Sequence, residues 1–165
     1  MRIGLRLLCV VALCGVAASR VRAQDYPAPI GYVNDFAQLL SVAERDKLNS
    51  ELAAFDASML CQIVAVTVPS LEGKIIDAYT LGLARHWGVG SRRNNCGIVV
   101  LMSPKTREIR VEVAKGLTNT LTTQRVAKLI SVVFVPRFRN QQWYLGFYEG
   151  IDALKFLVAQ DRELR

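Results

Sequence analysis

Apolar residues recur at helical spacing in two stretches of the first half of the chain. Ser41 and Glu44 match a capping box, which predicts a helix beginning there and running to about Asp56. Its apolar face is formed by Leu48, Leu52 and Phe55. A second helix is predicted over residues 74–87; it stops at Gly88 and carries a stripe formed by Ile75, Tyr79, Leu83 and Trp87.

Strand patterns separate and follow these helices. Residues 61–68 are almost continuously apolar and β-branched, which is typical of a central strand covered on both faces, and residues 97–102 repeat the pattern. Residues 108–113 alternate strictly between polar and apolar. Because residues 103–107 form a turn, we expect a hairpin whose second strand has one wetter face.

The last third of the chain returns to helical spacing. A third helix is predicted over residues 123–135 and is expected to end at Pro136. A fourth begins near Asn140, and its core face is formed by Trp143, Phe147, Ile151 and Leu154. Gly146 and Gly150 on this helix are expected to let it approach the sheet closely.

The order of these elements predicts the fold class. A strand–helix–strand crossover followed by a hairpin requires a mixed sheet with helices on both faces. We therefore predict an α/β fold, a three-layer α/β/α sandwich. It forms one domain over residues 31–160, after a short flexible lead at residues 24–30.

The first 23 residues have the pattern of a secretory signal peptide. Arg2 and Arg6 precede an apolar run of about fifteen residues, and a small-x-small cleavage pattern ends at Ala23. We expect cleavage before Gln24 and export to the periplasm or the exterior; the alternative is an uncleaved anchor. No later apolar stretch approaches the length of a membrane span, so the mature chain is expected to carry no transmembrane segment.

Removing this segment changes the charge. The whole chain has a formal charge of +7, but residues 1–23 hold four of its 21 basic residues and none of its 14 acidic ones. The remainder carries +3, and it has neither an aromatic–basic motif nor a zinc-ligand spacing. We therefore expect no nucleic-acid partner.

Two cysteines, Cys61 and Cys96, remain after cleavage. Each begins an apolar strand, and either a disulfide or two buried thiols fits an exported protein. Neighbouring parallel strands hold paired side chains side by side, which is awkward for a disulfide, so we predict free, largely buried thiols.

Six short segments, in order and in spacing, resemble the TPM domain, a family of exported and thylakoid-lumen α/β domains. They cover about residues 31–158: Val33-Asn34-Asp35-Phe36-Ala37, residues 63–71, Trp87-Gly88-Val89-Gly90, residues 97–104, residues 109–113, and Pro136-Arg137-Phe138-Arg139 with Gly146, Gly150 and Ala153. The resemblance implies a shared fold and diverse roles, which include assistance to photosystem II repair, weak acid phosphatase activity, divalent-cation binding and modulation of a receptor.

The chain departs from the family where the family carries acidic loop residues. The family pattern Asp-Asn-Gly is here Asn95-Cys96-Gly97, and the glutamate that ends Gly-Tyr-Gly-Leu-Glu is here Thr118. Since calcium and magnesium need hard oxygen ligands, chiefly carboxylates, the loss of two charges weakens a cation site. The candidate loop site is Asp35, Asp77, Asn95 and Thr118, with Asp35 interpreted as a backbone cap rather than a metal ligand.

Two other groups of residues are candidates for chemistry. Arg92 and Arg93 with Lys115 are a candidate anion-binding set, the alternative being a solvated loop. His86, the only histidine, has no nucleophile motif beside it and is interpreted as a surface residue.

These residues predict no catalytic group, no bound metal and no cofactor, with calcium or magnesium disfavoured. We expect a non-enzymatic accessory or protein-interaction module with a degenerate loop site and a protein partner. The alternatives are a weak metal-assisted acid phosphatase or divalent-cation-binding domain, and an anion-binding domain.

Overall fold

Four strands form one mixed sheet in the order β1–β2–β3–β4. The computed structural model describes residues 26–90 and 95–163, so the predicted signal peptide lies outside the described residues. The first three strands are parallel and the last pairs antiparallel with its neighbour, as the hairpin prediction requires. The strands are β1 (Val33–Asp35), β2 (Gln62–Thr67), β3 (Gly97–Ser103) and β4 (Glu108–Val113).

Helices cover both faces of this sheet. They are α1 (Val42–Met59), α2 (Ile76–Trp87), α3 (Thr123–Leu129), α4 (Val135–Arg139) and α5 (Trp143–Glu163). Side chains of β2 and β3 alternate between two cores: Ile63 and Ile98 join α1, α3, α4 and α5, whereas Val64 and Val99 join α2. The predicted three-layer α/β/α sandwich is therefore confirmed. None of the helices in the described ranges has the length and apolar character needed to cross a membrane.

The first two helices begin and end close to the predicted residues. Ser41 and Glu44 form the predicted capping box, with the Ser41 N–H donating to Glu44 Oε2 at 2.8 Å. The helix continues to Met59, and Leu60 caps it in the left-handed region. The second helix ends at Gly88 as expected. Ile75, however, is the exposed N-cap residue and contributes nothing to the apolar stripe.

Pro136 does not end the third helix, which corrects the prediction. The chain passes from α3 into a π-helical turn over Ile130–Phe134, where the N–H of Val135 reaches back to the carbonyl of Ile130, and then into α4. Pro136 is the second residue of α4 and directly follows this π turn, so the helical path continues past the proline. The next helix consequently starts at Trp143 rather than near Asn140.

Gly146 and Gly150 make room for aromatic rings rather than for the sheet. A Cβ built on Gly146 would lie 2.3 Å from Phe138, and one on Gly150 would lie 2.1 Å from Phe134. Phe134 and Phe147 are fully buried, so these glycines admit the π turn and α4 to the surface of α5. The expected close approach is real, but its partner was wrongly predicted.

Cys61 and Cys96 form a disulfide, so the prediction of free thiols is wrong. Their Cα atoms are 4.8 Å apart, and both residues are buried. Each lies one position before the first paired residues of β2 and β3, Gln62 and Gly97. Each also follows a residue with positive φ (Leu60 or Asn95), so the backbone turns there. Their Cα separation equals the spacing of neighbouring strands, and the N–H of Gln62 donates to the carbonyl of Cys96, so the pair continues the register of β2 and β3 and side-by-side placement does not prevent the bond.

Candidate functional site

Asp35 ends β1, and its carboxylate is fully engaged in local structure. Its Oδ1 accepts from the N–H of Leu39 at 3.0 Å and from the hydroxyl of Thr67, while Oδ2 accepts from the N–H of Leu40 at 2.8 Å. Thr67 also accepts from the N–H of Ala37. This group fixes the turn between β1 and α1, in agreement with the interpretation of Asp35 as a cap.

Asn95 and Thr118 lie at the opposite end of the sheet from Asp35, where the parallel strands begin. Asn95 immediately precedes the disulfide cysteine Cys96, and Thr118 follows a single 3₁₀ turn over Lys115–Leu117. The N–H of Gly116 donates to the carbonyl of Asn95 at 3.0 Å, which joins the two loops. Asn95, Lys115 and Thr118 are all exposed, so the structure brings these three predicted residues together.

Asp77 lies in a third place, in the first turn of α2. Its carboxylate pairs with Arg110 of β4 at 3.1 Å, and Arg110 also pairs with Glu112 at 3.0 Å. Since the six residues of β2 span about 20 Å, Asp35 is far from the edge that carries Asn95. The four residues of the candidate loop site are thus divided among three places. Arg92 and Arg93 lie outside the described residues.

Close backbone contact joins the end of α2 to β3 near Asn95. Gly90 has φ +73°, and a Cβ on it would lie 2.6 Å from the backbone of Gly97, so the two glycines permit direct backbone contact. The N–H of Gly90 donates to Gln62 Oε1 at 3.0 Å. Together with the disulfide, these contacts join the end of α2 to the starts of β2 and β3.

A cavity of about 450 Å³ adjoins this end of the sheet, between the end of α1 and the end of α2. The Tyr32 hydroxyl donates to Asp56 Oδ2 at 2.8 Å, and this hydrogen bond raises the pKa of Tyr32. On the far wall, the Trp87 indole N–H donates to the carbonyl of Pro27 at 2.9 Å. Asp56 is a carboxylate that is not among the candidate site residues predicted from the sequence.

The sequence does contain a signal for Asp56. It lies in the last turn of α1, and this turn has no basic residue. An acid there opposes the helix dipole, so its presence indicates a compensating contact, which Tyr32 provides.

Asn95, Lys115 and Thr118 together form what we call the loop edge. This surface can form hydrogen bonds, and its net charge is positive. Asn95 and Thr118 offer neutral oxygens, and Lys115 adds a positive charge. Across residues 26–90 and 95–163, no three His, Cys, Asp or Glu residues are grouped so as to hold a metal ion. His86 is exposed, and its ring centroid is 5.5 Å from that of Tyr26.

Comparisons with known proteins agree with this architecture. A family model described as the TPM domain matches residues 33–156. The solution structure of the N-terminal domain of a protein from P. gingivalis is 32% identical with a TM-score of 0.73, covering 80% of this chain and 84% of that one. Among curated protein sequences no match is found.

Two more distant structures share the fold alone. The N-terminal domain of cg2496 from Corynebacterium glutamicum is 14% identical with a TM-score of 0.59, and the alignment covers 84% of each chain. The BA42 protein of the psychrophilic bacterium Bizionia argentinensis is 11% identical with a TM-score of 0.64; 73% of this chain and 82% of that chain are covered.

Proposed function

The chain belongs to the TPM domain family, and from this premise we propose that it is an exported accessory domain that acts by contacting another protein. In this proposal the loop edge formed by Asn95, Lys115 and Thr118 is a structural element at the end of the sheet and carries out no chemistry. The bound partner is a protein, and the domain needs no metal or cofactor.

The observation that carries the proposal is the charge of the loop edge. Divalent calcium and magnesium are held by carboxylates and other hard oxygens. Asn95 and Thr118 are uncharged, Lys115 is positive, and Asp35 lies at the other edge with both oxygens occupied. At an effective dielectric of about 20, two unlike unit charges about 4 Å apart attract by about 4 kcal/mol, so each missing carboxylate charge removes at least that much attraction for a divalent cation. The site is therefore poorly suited to a cation and to metal-assisted hydrolysis.

Export is supported by the cross-link. Disulfides form and persist in oxidising compartments such as the periplasm and the cell exterior, and they are rare in the cytosol. The Cys61–Cys96 disulfide therefore accords with the signal-peptide pattern of residues 1–23.

A phosphatase assay tests the proposal against its main alternative. The purified protein is incubated at pH 5 with p-nitrophenyl phosphate and with calcium, magnesium or manganese in turn. We expect no metal-dependent hydrolysis above that of the Asn95→Ala/Thr118→Ala variant. Hydrolysis that requires a metal and falls in that variant would instead establish the weak metal-assisted phosphatase.

A further inference from the structure

A second cavity lies at the other end of the sheet, away from Asn95 and Thr118. The turn between β3 and β4 and the corner between α4 and α5 enclose a groove of about 600 Å³. Its floor is apolar and is formed by Met102, Ile109, Val135, Phe138 and Trp143. Trp143 was predicted as a core residue, but it is only partly buried because one side faces this groove.

The mouth of the groove carries guanidinium groups that the fold does not neutralise. Arg107 and Arg139 line it and are exposed, and within the described residues neither forms an ion pair. Two other arginines nearby in sequence are neutralised: Arg110 pairs with Asp77, and Arg137 pairs with Glu149 at 2.7 Å. Among the described residues that line the groove, Glu108 alone is acidic, so Arg107 and Arg139 give its mouth a net positive charge.

The mouth is also built on constrained backbone. Arg107 and Gln141, which lie on its two sides, both have φ +57°, a conformation that non-glycine residues rarely adopt. Hydrogen bonds from the N–H groups of Gln141 and Gln142 to the carbonyls of Phe138 and Arg137 hold the second side in place. The groove is consequently a preformed feature of the hairpin and the helical corner.

The outer edge of β4 adds backbone hydrogen-bonding groups at one end of the groove. The N–H of Ala114 donates to the carbonyl of Gly97, so the alternation of an antiparallel ladder turns the N–H and C=O groups of Ile109 and Val111 away from β3. Val111, in the middle of this edge, is only 3% exposed, so a partner chain cannot reach it. Ile109, at the groove, is more exposed and lacks a backbone partner within the part of the chain described.

We propose that this groove binds an extended segment of a partner protein that presents an aromatic side chain next to a carboxylate. The rings of Phe138 and Trp143, with centroids 5.7 Å apart, receive the aromatic group. Arg107 and Arg139 bind the carboxylate, because a guanidinium fork matches its geometry. Ile109 pairs with the backbone of the segment. This inference rests on the proposed function, since it specifies where the protein contact occurs.

Peptide titration of the ¹⁵N-labelled protein tests the groove. The probe is a hexapeptide blocked at both ends, with Phe-Asp at its centre and Ser elsewhere, added up to millimolar concentration. We expect saturable shifts of the Ile109 amide and the Trp143 indole N–H. A peptide with Asn in place of Asp should bind about tenfold more weakly, as expected for the loss of a charge-assisted hydrogen bond, and one with Ala in place of Phe should not bind.

Protein variants assign the contact. Arg107→Gly removes the guanidinium and suits the positive φ, so the fold is retained; it should weaken binding of the Asp peptide about tenfold and leave the Asn peptide unchanged. Arg139→Gln should act in the same way. Lys74→Gln, which removes an exposed charge in the loop before α2, is the matched control and should have no effect.

Several results would overturn the inference. They are equal binding of the Asp and Asn peptides, shifts confined to other surfaces, no saturable shift, or groove shifts that depend on protein concentration alone and so indicate a second copy. If the protein also lacks metal-dependent phosphatase activity, such a failure removes the groove and leaves the proposed function standing. Metal-dependent hydrolysis would remove the proposed function itself.

Discussion

At the scale of single residues, three aspartates form contacts that stabilise the fold. Asp35 holds two backbone N–H groups and the hydroxyl of Thr67, which is 1% exposed. Asp56 accepts from Tyr32, and Asp77 pairs with Arg110. The type and position of Asp35 predicted its capping role from the sequence. The partner in β2 could not be predicted, because it lies 32 residues away and depends on strand register.

Replacing Asp35 should destabilise the protein because it leaves three donors without their acceptor. We expect Asp35→Ala to lower the free energy of unfolding by about 2–4 kcal/mol, measured by urea denaturation. Asp35→Asn retains one acceptor oxygen, so its free energy of unfolding should lie between those of the unaltered protein and Asp35→Ala. The control is Asp46→Ala, which removes an exposed acid paired only with Arg45 and should change stability by less than about 0.5 kcal/mol. Equal effects of the two alanine variants would contradict the capping role.

At the scale of elements, local pattern predicted most helices and strands, and the failures have a common cause. The capping box, the stop at Gly88 and the hairpin depend on neighbouring residues and were predicted correctly. The passage of a helix through Pro136 depends on a π turn, and the disulfide depends on which strands are neighbours and in what register. Periodicity carries no information on either.

The packing of α5 against the π turn gives a prediction at this scale. A methyl group on Gly150 would overlap the buried ring of Phe134, so Gly150→Ala should destabilise the protein by about 1–3 kcal/mol, despite the better helix propensity of alanine. Ser50→Ala, at an exposed position inside α1, is the helical control and should change stability by less than about 0.5 kcal/mol. Urea denaturation of both variants measures the difference. A Gly150→Ala protein as stable as the unaltered protein would show that α5 can move away from Phe134.

At the scale of the whole molecule, the predicted class of fold and its three layers are confirmed, but the candidate site is divided. Whether Asp35, Asp77, Asn95 and Thr118 meet depends on which end of each strand carries them and on the face of the sheet that α2 covers. Only Asn95 and Thr118 share an edge, with Lys115. The groove between Arg107 and Arg139 is formed by two segments far apart in sequence, so no motif indicated it.

The disulfide links the two central strands and should make a large contribution to global stability. It closes a loop with a sequence separation of 35, for which chain entropy predicts about 3–4 kcal/mol. We expect the chain that starts at Gln24, produced in an oxidising compartment and denatured without reductant, to contain no reactive thiol, since Cys9 and Cys14 lie outside it. Reduction and the Cys61→Ala/Cys96→Ala variant should lower the free energy of unfolding by similar amounts. Two reactive thiols in the unreduced monomer would contradict the cross-link.

Whether the loop edge carries enough negative charge to bind a cation is decided by a calcium titration followed through backbone amide shifts. For the unaltered protein we predict no saturable shift below millimolar calcium, the weak end of natural sites. Asn95→Asp/Thr118→Glu should bind at least about tenfold more tightly, with shifts centred on Asn95, Gly116 and Thr118. The control is Thr106→Glu/Asn140→Asp, which makes the same change in net charge at the opposite end of the sheet. It should not bind calcium more tightly than the unaltered protein. Saturable micromolar binding by the unaltered protein, with shifts at the Asn95 loop, would contradict the account.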